Sequence, residues 1–186
     1  MLLNNALFKV IVTGEGGVGK TCLVQRYTTG TFYHTRTTIG VGFATAKVNL
    51  NGKDIRLQVW DFGGEERFRR LLPSFCKGAS GALVLFDLTR FSTFLHLDEW
   101  VSLIRDNTNS IPLVLVGSKA DLENMRAVTR EQVGELMRKY DIEHYYEVSS
   151  KDGINIEVVF IQMARLIVSS FDAVNSNHQH GIISIQ

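Results

Sequence analysis

The sequence predicts an α/β fold: a six-stranded, mostly parallel sheet with one antiparallel edge strand and helices on both faces. Three observations predict it. Residues 82–86 and 113–116 are continuously apolar, as strands buried on both faces are. Segments with helical spacing separate and follow them. The first β-prone run, 6–12, feeds a glycine-rich stretch that opens a helix, the strand–loop–helix order from which parallel sheets are built.

Taken in order, residues 6–12 are mostly apolar and form the first strand. Ala44, Ala46, Val48 and Leu50 then alternate with polar partners, as do Ile55, Leu57 and Val59. Asn51 and Gly52 between them are a strong hairpin turn, so the second strand is the antiparallel one. Beyond 82–86, Leu97, Trp100, Val101 and Ile104 share a helical face, with Ser92 as the expected N-cap. After 113–116, Val133, Leu136, Met137 and Tyr140 repeat the pattern behind Thr129 and Gln132, a capping-box pair. Phe160, Ala164, Ile167 and Phe171 mark the last helix. From Asp172 the chain is rich in Asn, Ser, Gln and His, so residues 1–171 are expected to form the domain and 172–186 a disordered tail.

A chain of 186 residues, 45% hydrophobic and 21% charged, fits one globular domain with a substantial core. A net charge of +1 gives no bias toward nucleic acid. Cys22 and Cys76 do not have metal-ligand spacing and read as free thiols of a reducing compartment. No apolar run is long enough to span a bilayer, and the first residues do not look like a signal peptide. A cytoplasmic protein is expected.

Residues 14–21 read Gly-Glu-Gly-Gly-Val-Gly-Lys-Thr and fit G-x-x-x-x-G-K-[ST]. Glycines let successive backbone N–H groups converge on phosphate oxygens, and the helix behind adds a partly positive end. Lys20 would reach the β- and γ-phosphates, and the Thr21 hydroxyl would hold Mg²⁺. A glycine-rich turn without a ligand carries similar residues, but the preceding strand and following helix supply the context a phosphate loop needs.

Four further stretches occur in order behind this loop. They are Thr38-Ile39-Gly40-Val41-Gly42-Phe43; Trp60-Asp61-Phe62-Gly63-Gly64-Glu65-Glu66-Arg67-Phe68; Ser118-Lys119-Ala120-Asp121; and Ser149-Ser150-Lys151. With them the chain resembles a Ras-superfamily small GTPase, closest to the Rab branch, from about Leu7 to Phe171. The resemblance implies the P-loop NTPase fold of a small G domain, GTP and GDP as ligands with Mg²⁺, and slow hydrolysis of GTP to GDP and phosphate until an activating protein arrives. It implies phosphate contacts from Gly16, Gly17, Val18, Gly19, Lys20, Thr21 and Cys22, an aromatic clip over the base from Phe32, and a base site of Ser118, Lys119, Asp121, Ser149, Ser150 and Lys151. Thr21, Thr38 and Asp61 would serve the metal, Asp61 through water, and Gly64 N–H would meet the γ-phosphate. The catalytic set is Lys20, Thr38, Gly64 and Glu65.

Three departures stand out. Ser118 replaces an Asn whose amide ties neighbouring loops, and a hydroxyl makes fewer such bonds. The stretch from Phe32 to Thr38 is a residue short, leaving Tyr33 as the candidate for the tyrosine that covers the phosphates. Glu65 stands where the family has a water-orienting Gln. Its carboxylate accepts a hydrogen bond from water, but at about 5 Å and an effective dielectric near 20 it repels a phosphate charge by roughly 3 kcal/mol before compensation. Either Glu65 points away until hydrolysis, or a partner supplies an arginine, or it is a solvated bystander.

Two other readings stay open: a nucleotide-dependent interaction module with negligible hydrolysis, and a P-loop ATPase, against which Asp121 argues because its carboxylate suits the paired N1 and N2 donors of guanine. Effector, exchange-factor and activating partners are expected at residues 32–45 and 61–79, where Phe43, Trp60 and Phe68 are candidate contacts, with core packing the alternative for Trp60. No cysteine follows Cys76 to accept a prenyl group, so membrane association is expected through partners.

Overall fold

The structure is a computed structural model that describes residues 6–35 and 38–181. Arg36 and Thr37 of the expected partner segment, and the tail from 182, lie outside the described residues.

Six strands make one sheet: β1 (Leu7–Gly14), β2 (Val41–Leu50), β3 (Lys53–Phe62), β4 (Ala79–Asp87), β5 (Leu113–Ser118) and β6 (His144–Val148). Their order is β2-β3-β1-β4-β5-β6. All neighbours pair in parallel except β2 with β3, which are antiparallel, with Phe43 opposite Trp60 and Leu50 opposite Lys53. Asn51 and Gly52 close that hairpin with φ of 51° and 81°, the left-handed pair a tight two-residue turn requires.

The pleat sends alternate side chains to two cores. Val10, Val12, Leu83 and Leu85 pack against α1 (Lys20–Thr29) and α7 (Ile156–Gly181). Ile11, Ala82, Val84 and Phe86 pack on the other face, against α3 (Leu72–Cys76), α5 (Leu97–Asn107) and α6 (Arg130–Tyr140). Two short helices, α2 (Glu66–Arg69) and α4 (Phe91–Leu95), follow β3 and β4. Leu97, Trp100, Val101 and Ile104 are all buried, as their spacing predicts. Thr129 and Gln132 form both bonds of the capping box at the start of α6.

Two local expectations need correction. Ser92 caps no helix: it lies inside α4, which starts behind Arg90. The turn is closed earlier, where Arg90 N–H donates to Asp87 O and the Thr93 hydroxyl donates to Arg90 O. The last helix also continues past Phe171 to Gly181. Residues 172–180 contain neither Gly nor Pro, the two residues that most strongly break a helix, and Gly181 is the first of either type.

Because β1, β3, β4 and β5 run the same way, their C-terminal ends present Gly14, Phe62, Asp87 and Ser118 along one edge. In open parallel sheets this edge is where ligands bind.

Candidate functional site

The residues following β1 wrap this edge as a loop and enter α1. Gly14 has a φ of 131°, and a Cβ there would collide with the Leu85 carbonyl of β4, so only glycine lets the loop leave the sheet this closely. Val18 is fully buried and anchors the loop's middle in the core. Gly16, Gly17, Gly19, Lys20, Thr21, Thr35, Thr38, Phe62 and Gly64 enclose a cavity of about 100 Å³.

Lys20 is 5% exposed, and its Nζ donates to Gly14 O and Glu15 O, each at 2.7 Å. Burial, the largest influence, lowers its pKa to about 8 against the opposing pull of Asp61 and Glu15. The ammonium is poised at the cavity on two weak carbonyl acceptors, which a phosphate oxygen can outcompete.

The three expected metal-site residues meet here. Thr21 Oγ1 donates to Asp61 Oδ2 at 2.5 Å and lies 2.7 Å from Thr38 Oγ1, so the Thr38 hydroxyl donates to Thr21. Asp61 Oδ1 is buried with no hydrogen-bond partner among the described residues. Burial raises the Asp61 pKa, outweighing the Thr21 bond and Lys20. A carboxylate whose second oxygen has no partner among the described residues, beside two hydroxyls, is a hard, all-oxygen donor set that suits Mg²⁺.

Switch-like segments close over the cavity. Gly63 N–H donates to Gly40 O at 2.8 Å, joining the segment after β3 to the one before β2. Gly64 lies so close to Glu15 and Gly16 that a Cβ would strike their backbone. Glu65 lies outside the cavity lining, and its carboxylate pairs with Arg67 Nε at 2.7 Å. The side chains of Glu65 and Arg67 are 35% and 63% exposed. Tyr33 is 58% exposed; its carbonyl lies 3.7 Å from Cys22 Sγ.

A larger cavity, about 450 Å³, adjoins the first through Gly17 and Gly19. Cys22, Phe32, Ser118, Lys119, Asp121, Ser150 and Lys151 all line it, so most of the expected base site is gathered in one place. Ser149 is buried behind it: its hydroxyl donates to Asp121 Oδ1 at 2.8 Å and accepts from Asp152 N–H at 3.0 Å, fixing the carboxylate in orientation. Lys119 adopts a left-handed φ of 63° and sends its ammonium to Asp87 Oδ2 at 2.6 Å, leaving its stem along the cavity.

Other contacts went unread in the sequence. Thr35 lines both cavities and His34 the larger one. Glu15 accepts from Trp100 Nε1 at 3.1 Å and pairs with Arg69, which also pairs with Glu99 and lies over the Trp100 ring. This joins α2 to the phosphate loop through α5. Arg90 reaches Gly16 O at 2.8 Å. An acidic residue inside the glycine loop and an arginine three residues after Asp87 were the available signals.

Comparison with known proteins agrees with this geometry. The Ras family model matches residues 9–169. Ras-related protein RABA1h of Arabidopsis thaliana is 39% identical over 159 residues, 84% of this chain and 72% of its own. Ras-related protein Rab-19 of Homo sapiens is 38% identical, covering 94% of this chain and 80% of its own. Ras-related protein Rab-13 of Bos taurus is 37% identical, covering 87% and 80%. These matches establish that the chain belongs to the Ras family, as a Rab-like small GTPase.

Proposed function

We propose that this chain binds GTP and GDP with Mg²⁺, hydrolyses GTP slowly, and exchanges partners as its switch segments respond to the γ-phosphate. The observation that carries the reading is the meeting of Thr21, Thr38 and Asp61, with Asp61 Oδ1 left without a partner among the described residues. Mg²⁺ bound there would offset negative charge shared by the β- and γ-phosphates.

The chain's own residues have these roles. Backbone N–H groups of the phosphate loop and the Lys20 ammonium hold the phosphates. Asp121, oriented by Ser149, accepts from the guanine edge, while Phe32 and the Lys119 stem cover the ring faces. Gly64 N–H and Thr38 bind the γ-phosphate and let go when it leaves, so residues 32–45 and 61–79 change order together. Glu65 orients the attacking water after its carboxylate leaves Arg67. Breaking a pair this exposed costs at most about 1 kcal/mol, roughly fivefold in rate.

Partners bind the apolar surface these segments present. Ile39 and Phe43 are 78% and 63% exposed, and Phe43 meets Trp60 edge to face while Trp60 packs at a tilt on Phe75. No helix among the described residues is long and apolar enough to cross a membrane, and we assign any role in membrane traffic to such partners.

A second reading, an interaction module with negligible hydrolysis, is favoured by the engagement of Glu65 with Arg67. Single-turnover phosphate release from the GTP-loaded chain separates the two. Release that slows when Glu65 is changed to Ala supports the hydrolase. GTP that stays intact while bound supports the module.

A further inference from the structure

Ser118 stands where the family has a loop-tying Asn. Its single hydroxyl proton goes to Phe86 O in β4, at 2.9 Å, so the donor is used within the sheet. Gly17 has a φ of 72°, and glycine peptides turn freely unless something holds them.

A different set of bonds spans the same gap. Asp87, at the end of β4, is fully buried. Its Oδ1 accepts from Thr89 N–H at 2.9 Å and the Thr89 hydroxyl at 2.7 Å. Its Oδ2 accepts from Arg90 Nε at 2.9 Å and Lys119 Nζ at 2.6 Å. Arg90 then extends Nη2 to Gly16 O at 2.8 Å, and that nitrogen lies 3.5 Å from where a Gly17 Cβ would be. The chain of charge-assisted bonds therefore runs from Gly16 through Arg90 and Asp87 to Lys119, from the phosphate loop to the base loop. Burial alone would raise the Asp87 pKa, but the Lys119 and Thr89 bonds overcome it and hold the pKa low, so the link stays charged.

The peptide plane gives the link its consequence. In a trans peptide the carbonyl of Gly16 and the N–H of Gly17 point in opposite directions. Fixing Gly16 O on the Arg90 side fixes the Gly17 N–H toward the other side. Gly16 and Gly17 both line the phosphate cavity.

We propose that Arg90 is a positioning residue: through Asp87 it sets the Gly16–Gly17 peptide for phosphate binding and couples it to the base loop, the tie that Ser118 cannot make. This rests on the chain binding guanine nucleotides at this site.

The test is a double-mutant cycle on the full chain, read as the release rate of a fluorescent GDP with Mg²⁺. The proteins are the parent, Arg90→Ala, Ser118→Asn and the double variant. Losing a partly exposed charge-assisted bond should speed release about tenfold in the parent. With an Asn amide at 118 restoring a second tie, the same Arg90 change should speed release only about threefold or less. Arg90→Lys should not rescue, because a single ammonium cannot fork between Asp87 and Gly16. Arg90→Gln serves the same cycle if the Ala variant does not fold. An equal factor in both backgrounds, or full rescue by Lys, overturns the proposal, since an arginine that only supports the fold would give those results. A parent that retains no GDP overturns the nucleotide reading and this inference with it. A parent that holds GDP but shows an additive cycle removes the role of Arg90 alone.

Discussion

Arg67→Ala should speed GTP hydrolysis rather than slow it, and only while Glu65 is present. In the structure the Glu65 carboxylate sits 2.7 Å from Arg67 Nε, outside the phosphate cavity. Before it can accept a hydrogen bond from an attacking water it must leave that partner. Both side chains are at least a third exposed, so the pair is worth about 0.2–1 kcal/mol, and removing it should raise the rate roughly 1.4- to 5-fold. The assay is single-turnover phosphate release from protein preloaded with GTP, comparing the parent, Arg67→Ala, Glu65→Ala and the double variant. Glu65→Ala should be slower than the parent, and adding Arg67→Ala to it should give no acceleration. The gain should also shrink as salt rises, because salt already weakens an exposed pair. If Arg67→Ala changes the rate by the same factor with and without Glu65, the carboxylate is not being held back from the reaction. If Glu65→Ala leaves the rate unchanged, Glu65 orients no water.

Three other outcomes follow from the site. With Lys20 at about pKa 8 in the ligand-free protein and higher beside phosphate, GDP affinity should be nearly level below pH 8 and fall above it by up to about tenfold per pH unit. The same group has the opposite effect on ligand-free stability, which should gain from it as pH rises from about 8 toward the ordinary lysine value of 10.5; titrating affinity and melting temperature together checks both signs. Asp61→Asn should weaken the Mg²⁺ dependence of GDP release. It should also leave the ligand-free melting temperature unchanged or raised at neutral pH, because a carboxylate whose pKa is raised by burial loses stability as pH rises through that pKa. Gly64→Ala places a Cβ against the Glu15 backbone, so it should still bind GDP while losing the change in Trp60 fluorescence on exchange for GTP; a full response would show that Gly64 need not approach the loop.

Much of this was legible because the backbone obeys short-range rules. Asn51-Gly52 admits one kind of turn, Thr129 and Gln132 one kind of cap, and residues 82–86 and 113–116 have no polar face to leave outside. The phosphate loop was readable for the same reason: its glycines are imposed by close approach, as Gly14 shows against Leu85. The hidden parts depend on which of several partners a long side chain chooses. Glu65 could have faced the cavity, and its pairing with Arg67 two residues on leaves no periodic trace. Glu15 reads as a variable loop position until the fold brings Arg69 and Trp100 to it. Ser92 caps nothing because bonds from Arg90 to Asp87 and from Thr93 to Arg90 start the helix before it, and the last helix runs past Phe171 because polar composition alone does not end a helix.

The decisive measurement is nucleotide competition. Unlabelled GDP, GTP, ADP and ATP should each be titrated against a fluorescent GDP on the full chain with Mg²⁺. Asp121, held by Ser149 in the larger cavity, should give guanine nucleotides a preference of at least about tenfold, because adenine lacks the donor pair this carboxylate accepts. Asp121→Asn should erase that preference by turning one acceptor into a donor. Equal displacement by guanine and adenine nucleotides, or a preference that survives Asp121→Asn, would contradict the account.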